Sequence, residues 1–283
     1  MDNTAADSRL FERLKRCQLL MLKEFMRICA HLDLRYYVVG GTLLGAVRHQ
    51  GFIPWDDDID LAMPREDYER FLEKGQSLLS DAYFLQTFHT NPEFPANFAK
   101  IRDNRTTFIE KSVSGKHIHH GVYIDIFPLD YYPDGCFSRV ILELRRFLMK
   151  MRISSEFTYR RNESLLKALV RKILAAICLC LYPDLAQTIE KRERLYKSVP
   201  PGRYICNYSG AWGRKEIWPA EWISESCDIM FEGLTVPAPS EYHKMLCHFY
   251  GDYMTPPPHE KRVSHHETTI VDLDRPYSTY LKK

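Results

Sequence analysis

Hydrophobic and polar residues alternate with two different periods in the first half of the chain. Apolar residues recur at helical spacing over residues 8–32, which predicts a long amphipathic helix, and Pro64 favours the start of another helix over residues 65–79. Shorter apolar runs predict strands, separated by residues that favour turns. The predicted strands are Tyr36–Val39, Ile59–Met63, Tyr83–Phe88, Phe98–Arg102, Thr106–Glu110 and Val122–Phe127, and a short helix is predicted over Thr42–His49.

The second half of the chain is predicted to be helical first and mixed afterwards. Helices are predicted from about residue 137, over Leu165–Leu181 and over residues 185–197; strands over Tyr204–Tyr208, Asp228–Phe231 and Leu234–Val236; a helix near 240–250; and then a polar tail. This order predicts an α+β fold with a mixed sheet and flanking helices. We divide the chain into a catalytic core with the N-terminal helix (1–136), a helical section (137–200) and an α/β segment that packs back on the core (201–283).

The composition narrows the class of protein. Of the 283 residues, 45% are hydrophobic and 27% are charged, as in globular proteins. The 39 basic residues barely exceed the 37 acidic ones, so no nucleic-acid partner is expected. No apolar run reaches the roughly 18 residues of a membrane-spanning helix. The eight cysteines form no Cys-x-x-Cys pair and no export signal is visible, so we expect reduced thiols and a cytoplasmic location.

The residues with the clearest chemical meaning are the aspartates of the segment PWDDDIDL (residues 54–61). Side chains alternate between the two faces of a strand, so Asp58 and Asp60 are predicted to share one face. Neighbouring carboxylates repel each other unless a cation lies between them or one takes up a proton. A hard divalent cation such as Mg²⁺ prefers oxygen ligands of this kind, and a metal pair can stabilise both ends of a phosphoryl displacement. The alternative is a solvated acidic loop.

A glycine pair and a third acid accompany these aspartates. Gly40 and Gly41 are predicted to lie between a strand and a helix, where a phosphate can approach the backbone closely. Asp125 stands among apolar residues of a predicted strand, and burying it there requires a partner or a metal. It is therefore a candidate third ligand and general base, the alternative being an edge-strand acid that faces water. Asp130 is interpreted as a turn residue at the end of the same strand.

Candidate phosphate-binding cations lie near these acids in the sequence. Lys100 and Arg102 are two residues apart in a predicted strand, so both would point the same way and could clamp a diphosphate. Arg48 and His49 lie between the glycine pair and the aspartates and could also reach phosphate. For both pairs the alternative is an ordinary solvated position. The remaining clustered histidines, His117, His119, His120, His265 and His266, are interpreted as structural or solvent-facing.

Longer segments around these residues resemble one protein family. The chain is similar to the LicD family of phosphotransferases, within the nucleotidyltransferase superfamily, in GGTLLGAVRHQGFIPWDDDIDLAMPREDYERF (40–71), AKIRDNRTTFIE (99–110), GVYIDIFPLD (121–130) and EGLTVPAPSEYHKMLCHFYGDYMTPPP (232–258). The resemblance extends from about residue 30 to 260, and the first segment is highly specific. The family includes bacterial phosphocholine transferases and, more distantly, fukutin-related ribitol-phosphate transferases.

The resemblance implies a nucleotidyltransferase-like fold and metal-dependent transfer of phosphocholine from CDP-choline to a glycan hydroxyl, with release of CMP. Asp58 and Asp60 match the family's metal-binding pair and Asp125 matches its third acid, which implies Mg²⁺ or Mn²⁺ as the cofactor. Gly40 and Gly41 match its glycine turn, whereas the aspartates at 56 and 57 receive no role. The acceptor would be a surface glycan, such as a lipopolysaccharide or teichoic acid, or a lipid-linked precursor.

Two further features bear on the implied substrates. Aromatic faces bind a quaternary ammonium by cation–π attraction, and we single out Trp55 because it lies beside the aspartates. The other aromatic candidates are Tyr123, Phe127, Tyr131, Tyr132, Trp212, Trp218 and Trp222. The predicted helix over 165–181 carries Lys167, Arg171 and Lys172 among apolar residues. It is either a core helix with a basic edge or a peripheral helix on the inner face of an anionic membrane.

Three alternatives to phosphocholine transfer stay open from the sequence. The donor could be another CDP-alcohol, such as CDP-ribitol or CDP-glycerol. An ordinary nucleotidyltransferase would instead attack the α-phosphorus and leave a nucleoside monophosphate on a small molecule or protein. A protein of a different class would bind a glycan or metal on the same fold without catalysis, and it would have no need of all three acids.

Overall fold

A computed structural model describes residues 2–154, 165–263 and 266–281 of the chain. The α-helices are α1 (Asp2–Leu32), α2 (Gly40–His49), α3 (Arg65–Leu78), α4 (Cys136–Ser154), α5 (Leu165–Leu181), α6 (Leu185–Lys197) and α7 (Tyr242–Tyr250). The strands are β1 (Tyr37–Val38), β2 (Asp60–Pro64), β3 (Tyr83–Gln86), β4 (Ala99–Asp103), β5 (Thr107–Glu110), β6 (Tyr123–Tyr132), β7 (Tyr204–Cys206), β8 (Ile217–Pro219), β9 (Ser226–Phe231), β10 (Leu234–Pro239) and β11 (Thr268–Asp272).

A mixed sheet with the strand order β1-β2-β6-β4-β3 forms the centre of the molecule. β2 and β6 run parallel, whereas β1–β2, β6–β4 and β4–β3 are antiparallel pairs. The far end of β6 continues the sheet through β7 and β8. β9 pairs with β10, and β11 pairs with β5, outside this sheet. The arrangement confirms the predicted α+β fold.

Helices α1 and α3 bury the centre of the sheet. α1 carries Met21, Leu22, Phe25 and Ile28, which follow one another at helical spacing and have no exposed surface. From α3, the ring of Phe71 meets the ring of Phe25 at 5.2 Å. Both helices contact the sheet, α1 on β6 and β4 and α3 on β2, β3 and β6. The strands that carry the candidate acids are therefore packed against these two helices.

Asp130 does not lie in a turn, so that prediction is wrong. β6 continues five residues beyond its predicted end at Phe127, and Asp130 lies inside it with a 3% exposed surface. Its carboxylate accepts hydrogen bonds from Arg65 Nε at 2.7 Å and Arg65 Nη2 at 2.5 Å. The partner that makes this burial tolerable comes from the start of α3, so the local sequence around Asp130 could not reveal it.

Other differences concern element boundaries and two short strands. α2 begins at Gly40, so the glycine pair opens the helix instead of preceding it as a turn. β8 and β11 were not predicted from the sequence. β8 has only three residues, and β11 lies in the C-terminal tail, which was interpreted as polar. β11 is held by backbone pairing with β5, which needs no apolar pattern. The division into 1–136, 137–200 and 201–283 stays a prediction.

The helical section agrees with its prediction in position. α4 contacts both α5 and α6, and α5 occupies Leu165–Leu181 as predicted. Lys172 on α5 is exposed, whereas the side chains of Lys167 and Arg171 lie outside the described residues. Among the helices of the described residues, none combines the length and the apolar character that crossing a bilayer requires.

Candidate active site

Three neighbouring strands bring Asp60, Asp125 and Lys100 into one row. Asp60 of β2 lies opposite Asp125 of β6, which in turn lies opposite Lys100 of β4. Residues in register on neighbouring strands share a face of the sheet. Lys100 Nζ lies 2.8 Å from Asp125 Oδ1 and donates a hydrogen bond to Oδ2 at 3.2 Å. Asp125 is thus a buried, ion-paired acid and does not face water at a sheet edge.

Backbone hydrogen bonds fix this row relative to the start of α2. The N–H of Asp60 donates to Thr42 Oγ1 at 2.8 Å, and the carbonyl of Asp60 accepts from the N–H of Val39 at 3.1 Å. The N–H of Asp125 donates to the carbonyl of Ile59 at 2.9 Å. The relative positions of Asp60 and Asp125 are therefore set by the sheet and not by flexible loops.

Three more aspartates precede β2 and complete an acidic cluster. Carboxylate oxygens of Asp56, Asp57 and Asp58 lie within 4.8 Å of one another. Burial and the charges of Asp58 and Asp57 raise the pKa of Asp56 to about 8. Burial also raises the pKa of Asp58, and burial together with the charges of Asp58 and Asp125 raises that of Asp60 well above its usual range. Each shift arises because several carboxylates share a site that excludes water.

The glycine pair leaves room for these carboxylates. A Cβ atom on Gly40 would lie 2.7 Å from Asp60 Oδ2, and one on Gly41 would lie 2.3 Å from Asp56 Oδ2. Gly40 also has a φ of +56°, which a residue with a Cβ adopts at a cost. The close approach of a phosphate to this backbone stays a prediction. The observed consequence is that two carboxylates reach the first turn of α2, where free N–H groups favour negative charge.

The donor set of the cluster fits a divalent cation. The pKa of Asp58, of Asp60 and of Asp125 is raised first of all by burial, and Lys100 opposes the shift of Asp125. Oxygen ligands of this kind suit Mg²⁺ or Mn²⁺. The carboxylates that lie close enough together to hold one ion are those of Asp56, Asp57 and Asp58. That Asp58, Asp60 and Asp125 hold the ion stays a prediction.

The structure does not assemble the predicted clamp of Lys100 and Arg102. Lys100 is engaged by Asp125, and Arg102 is only 1% exposed. Arg102 Nε donates to Gln86 Oε1 at 2.7 Å, and its Nη1 donates to the carbonyl of Gly121 at 2.8 Å. Neither cation lines the cavity described below. Both partners of Arg102 come from other parts of the chain, so strand alternation alone was insufficient to predict its environment.

The basic residues that line the cavity in the described part of the chain are Arg48, a predicted phosphate-binding residue, Lys261, which the sequence did not single out, and His266, described below. Arg48 Nη1 donates to the carbonyl of Tyr253 at 2.9 Å, which links the end of α2 to the segment after α7. His49 is not among the lining residues, and burial and the charge of Arg48 lower its pKa. Of the predicted pair at 48 and 49, only the arginine therefore faces the candidate substrate space.

The acids open into a cavity of about 880 Å³ whose lining also comes from the C-terminal third of the chain. Its aromatic lining residues include Trp55, Trp212, Trp218, Phe249, Tyr250 and Tyr253. The side chain of Trp212 is 49% exposed, and its ring meets that of Tyr250 edge-on at 5.2 Å. The guanidinium of Arg262 lies 5.4 Å from the ring of Trp55. Trp55, the aromatic residue singled out from the sequence, therefore already has a cation of the protein beside its ring.

A buried carboxylate that sequence reasoning missed, Glu216, lines the same cavity. Glu216 is 5% exposed, and its Oε1 accepts a hydrogen bond from the N–H of Trp212 at 3.1 Å. Burial raises the pKa of Glu216 to about 7, although this hydrogen bond opposes the shift. A Cβ on Gly210 would lie 2.0 Å from the same oxygen. The carboxylate thus lies directly beneath the loop that carries Trp212.

His266 is the second functional candidate that the sequence did not identify. Of its two predicted interpretations, structural or solvent-facing, the solvent-facing one is wrong. Its Nδ1 lies 2.9 Å from Asp57 Oδ1, and its Nε2 lies 3.9 Å from Asp58 Oδ2. Burial lowers the pKa of His266, but the hydrogen bond to Asp57 and the charge of Asp58 outweigh it and raise the pKa to about 9. The chain reaches the cluster here because β11 pairs with β5 immediately afterwards.

Among the other clustered histidines, His119 and His120 serve the packing of the protein. His119 stacks on Phe84 with ring centroids 5.3 Å apart, and its Nε2 lies 2.8 Å from Asn104 Oδ1. Burial lowers the pKa of His119 to about 3. His120 is buried and His117 is exposed. His265 lies outside the described residues.

Comparison with known proteins places this geometry in a family. A family model described as "LicD/FKTN/FKRP, nucleotidyltransferase domain" matches residues 33–157. The chain is 30% identical over 252 residues to the lipopolysaccharide cholinephosphotransferase LicD of Haemophilus influenzae, which covers 87% of this chain and 92% of that protein. An uncharacterized protein of Rickettsia prowazekii is 45% identical over 121 residues, 41% of this chain and 46% of that protein. The ribitol 5-phosphate transferase FKRP of Mus musculus is 44% identical over 55 residues, 18% of this chain and 11% of that protein.

The matched segment 33–157 contains the glycine pair, the aspartate cluster, Asp125 and Lys100. It therefore includes every residue of the row across β2, β6 and β4. The similarity to the Haemophilus influenzae protein extends over nearly the whole of both chains. On these grounds the chain belongs to the LicD family.

Proposed function

We propose that this protein transfers phosphocholine from CDP-choline to a hydroxyl of a cell-surface glycan or its lipid-linked precursor, releases CMP, and requires Mg²⁺ or Mn²⁺. Membership of the LicD family makes the chain a phosphotransferase. The observation that carries the proposal is the convergence of buried carboxylates from two adjacent parallel strands at an aromatic-walled cavity. We expect the enzyme to work in the cytoplasm, where CDP-activated donors are made.

The acids supply the reaction centre in this proposal. Asp58, Asp60 and Asp125 would hold the divalent cation, which when bound would neutralise charge on the donor diphosphate. The acceptor oxygen forms a bond to the phosphorus that carries choline. The bond from that phosphorus to the bridging oxygen breaks, and CMP leaves with the electron pair. Asp125 takes the proton of the acceptor hydroxyl, and Lys100 holds the Asp125 carboxylate in place.

The donor diphosphate would meet Arg48, Lys261 and His266, because these are the basic residues that line the cavity in the described residues. Arg48 can present a planar fork to phosphate oxygens, and Lys261 a point charge. Lys100 and Arg102, the sequence-based candidates, keep a role only through Asp125 and through packing, respectively.

The choline group would lie between Trp212, Tyr250 and Glu216. Aromatic faces attract a quaternary ammonium, and the buried carboxyl group of Glu216 would add a negative charge beside them when it is ionised. Glu216 holds the loop of Trp212 through the hydrogen bond to its N–H. We favour this group over Trp55, whose ring already has the guanidinium of Arg262 nearby. The aromatic and acidic lining also favours choline over ribitol or glycerol, which carry hydroxyl groups and no cation.

The test is phosphorus NMR of the purified protein with Mg²⁺ and CDP-choline, compared with Asp60→Asn and with the exposed-site control Asp228→Asn. Slow hydrolysis by water reports the donor even without the true acceptor. We expect CMP and phosphocholine from the wild type and the control, and at least about 100-fold less from Asp60→Asn.

Other products would identify the alternatives. Release of CMP only from CDP-ribitol or CDP-glycerol would keep the acidic site and replace the donor. A nucleoside monophosphate joined to an acceptor would indicate an ordinary nucleotidyltransferase. If calorimetry detected no binding of any CDP-alcohol, the proposal would fail and a non-catalytic binding protein would be the better description.

A further inference from the structure

Exposed apolar side chains are concentrated on two helices that follow the candidate acids in the chain. Of the sixteen large apolar side chains that are exposed in the described part of the chain, eleven lie on α4 and α5. We define the α4–α5 face by Phe137, Val140, Leu144 and Phe147 of α4 and by Ile173 and Ile177 of α5. Soluble proteins rarely leave a contiguous apolar patch uncovered unless it is an interaction site.

α4 has apolar residues on two opposite sides. One side carries Leu142, Met149 and Ile153, each about 3% exposed, and packs on the protein. At 100° per residue, Phe137 and Leu144 fall on the opposite side of the helix. They are 78% and 58% exposed. A helix of a globular protein needs only one apolar stripe, so the second stripe is available to a partner.

α5 is even less covered by the rest of the protein. Among its side chains that the structure describes, Cys178 is buried, whereas Ile173 and Ile177 are 52% and 51% exposed. The helix has 17 residues, and no described helix can cross a bilayer. A helix of this kind is suited to lie along an apolar boundary and not to traverse it.

The charges around the face are basic. α4 contains five Arg and Lys residues against one acid, Glu143, and α5 contains three basic residues and no acid. Arg145 and Lys150 of α4 and Lys172 of α5 are exposed. A second copy of this chain related by a two-fold axis would bring these basic charges together. An anionic partner with an apolar interior complements both the charge and the exposed surface.

We infer that the α4–α5 face docks this protein on an anionic membrane, with the apolar side chains in the interfacial region and the basic residues among lipid headgroup phosphates. Apolar burial and attraction to anionic lipid both contribute to binding of this type. The inference concerns a surface separate from the acid-lined cavity. A test of membrane docking therefore does not depend on which donor the enzyme uses.

Sedimentation with vesicles tests this inference. The full chain would be mixed with vesicles of phosphatidylcholine alone or with half phosphatidylglycerol. We expect binding to the anionic vesicles that weakens as salt is raised. Leu144→Glu with Phe147→Glu should weaken it at least about tenfold, whereas Met230→Glu with Met254→Glu, at exposed apolar positions elsewhere, should leave it unchanged. Arg145→Glu with Lys172→Glu, at exposed basic positions of α4 and α5, should remove the preference for anionic lipid.

Two results would overturn the inference. One is the absence of vesicle binding by the wild type, or equal binding by the wild type and the Leu144→Glu, Phe147→Glu variant. The other is a dimer in sedimentation velocity that this variant dissociates, which would assign the face to a second copy. Circular dichroism and unfolding midpoints of all variants show that they are folded, and hydrolysis of CDP-choline in solution should be unaffected by the docking variants.

Discussion

At the scale of single residues, the site depends on carboxylates that are brought closer than they would be in water. Asp60 lies in the strand register beside Asp125, and Asp56 reaches the first turn of α2. Glycine at positions 40 and 41 is what makes this approach sterically possible. The chemistry of the cluster therefore depends on residues that have no side-chain chemistry of their own.

Replacing Gly41 tests this dependence. In Gly41→Ala the added methyl group would lie 2.3 Å from Asp56 Oδ2, so the carboxylate must move away from α2. We expect at least about tenfold lower activity and weaker Mg²⁺ binding in calorimetry, with the protein still folded. Gly115→Ala is the matched control, because nothing lies within 4 Å of its Cβ. Equal loss in both variants would contradict this role of Gly41.

Glu216 gives a prediction on pH. Its pKa rises from 4.5 to about 7 on folding, so the native state holds a proton that the unfolded state has lost between these values. The stabilisation is complete below about pH 4.5 and is lost as the pH rises through 7. Glu216→Gln should remove this dependence, which amounts to at most about 3 kcal/mol.

Urea unfolding of the wild type and Glu216→Gln at pH 5 and pH 8 measures this effect. The stability of the wild type relative to the variant should be greater at pH 5 than at pH 8. Parallel changes in the two proteins would show that other carboxylates cause the pH dependence.

The environment of a residue could be predicted from the sequence where it depends on neighbouring residues. It could not be predicted where the contacts come from distant segments of the chain. The positions of Asp60 and Asp125 in strands follow from local hydrophobic patterns, which need only neighbouring residues, whereas Asp58 precedes β2 and strand alternation does not apply to it. Arg102 is buried away from the cavity because its guanidinium donates to Gln86 and to the carbonyl of Gly121, which two other segments supply. His266 contacts Asp57, which lies about 200 residues earlier in the chain, and no periodic pattern in the sequence predicts such a contact.

At the scale of elements, α3 is joined to the central strand by a buried ion pair. Arg65 at the start of α3 is bonded to Asp130 in β6, next to the strand that carries Asp60. Burial does not make such a pair a net source of stability, but it makes each partner dependent on the other. The lengths of helices and strands were largely predictable, whereas this coupling between two elements was not.

A double-mutant cycle measures the coupling. Arg65→Met leaves the carboxylate of Asp130 buried without its main partner, and we expect a loss of about 3–5 kcal/mol of unfolding free energy. Arg65→Met with Asp130→Asn should lose less than the sum of the two single variants. The exposed pair of Glu190 and Arg194 on α6 is the control, with an expected coupling of about 0.3–0.5 kcal/mol. Additive losses at Arg65 and Asp130 would show that the pair is not coupled.

At the scale of the whole molecule, the acidic cluster is a source of instability that the fold tolerates. The carboxylates repel one another, which the raised pKa values of Asp56 and Asp60 record. A protein that keeps such a cluster gives up stability for function. The mixed sheet and the helices on it were predictable as a class from the hydrophobic pattern, but the cavity was not, because its walls come from both ends of the chain.

Removal of divalent cations tests this view of the cluster. In EDTA, Asp60→Asn should unfold at a higher temperature than the wild type, because one repelling charge is gone. Adding Mg²⁺ at about 100 times its dissociation constant should stabilise the wild type by about 2.7 kcal/mol and the variant much less. Differential scanning fluorimetry with and without Mg²⁺ measures both effects. An EDTA-treated wild type that is more stable than Asp60→Asn would contradict the repulsion.

The cavity also has a consequence for how the protein is made. The row across β2, β6 and β4 is complete once Asp125 has been synthesised, whereas Trp212 and His266 follow roughly 90 and 140 residues later. At ordinary translation speeds this delay is on the order of ten seconds. During that interval a nascent chain on the ribosome carries the acids without the aromatic wall. We expect a frameshift between residues 157 and 212 to leave a fragment that has the acids but lacks Trp212, Glu216 and His266.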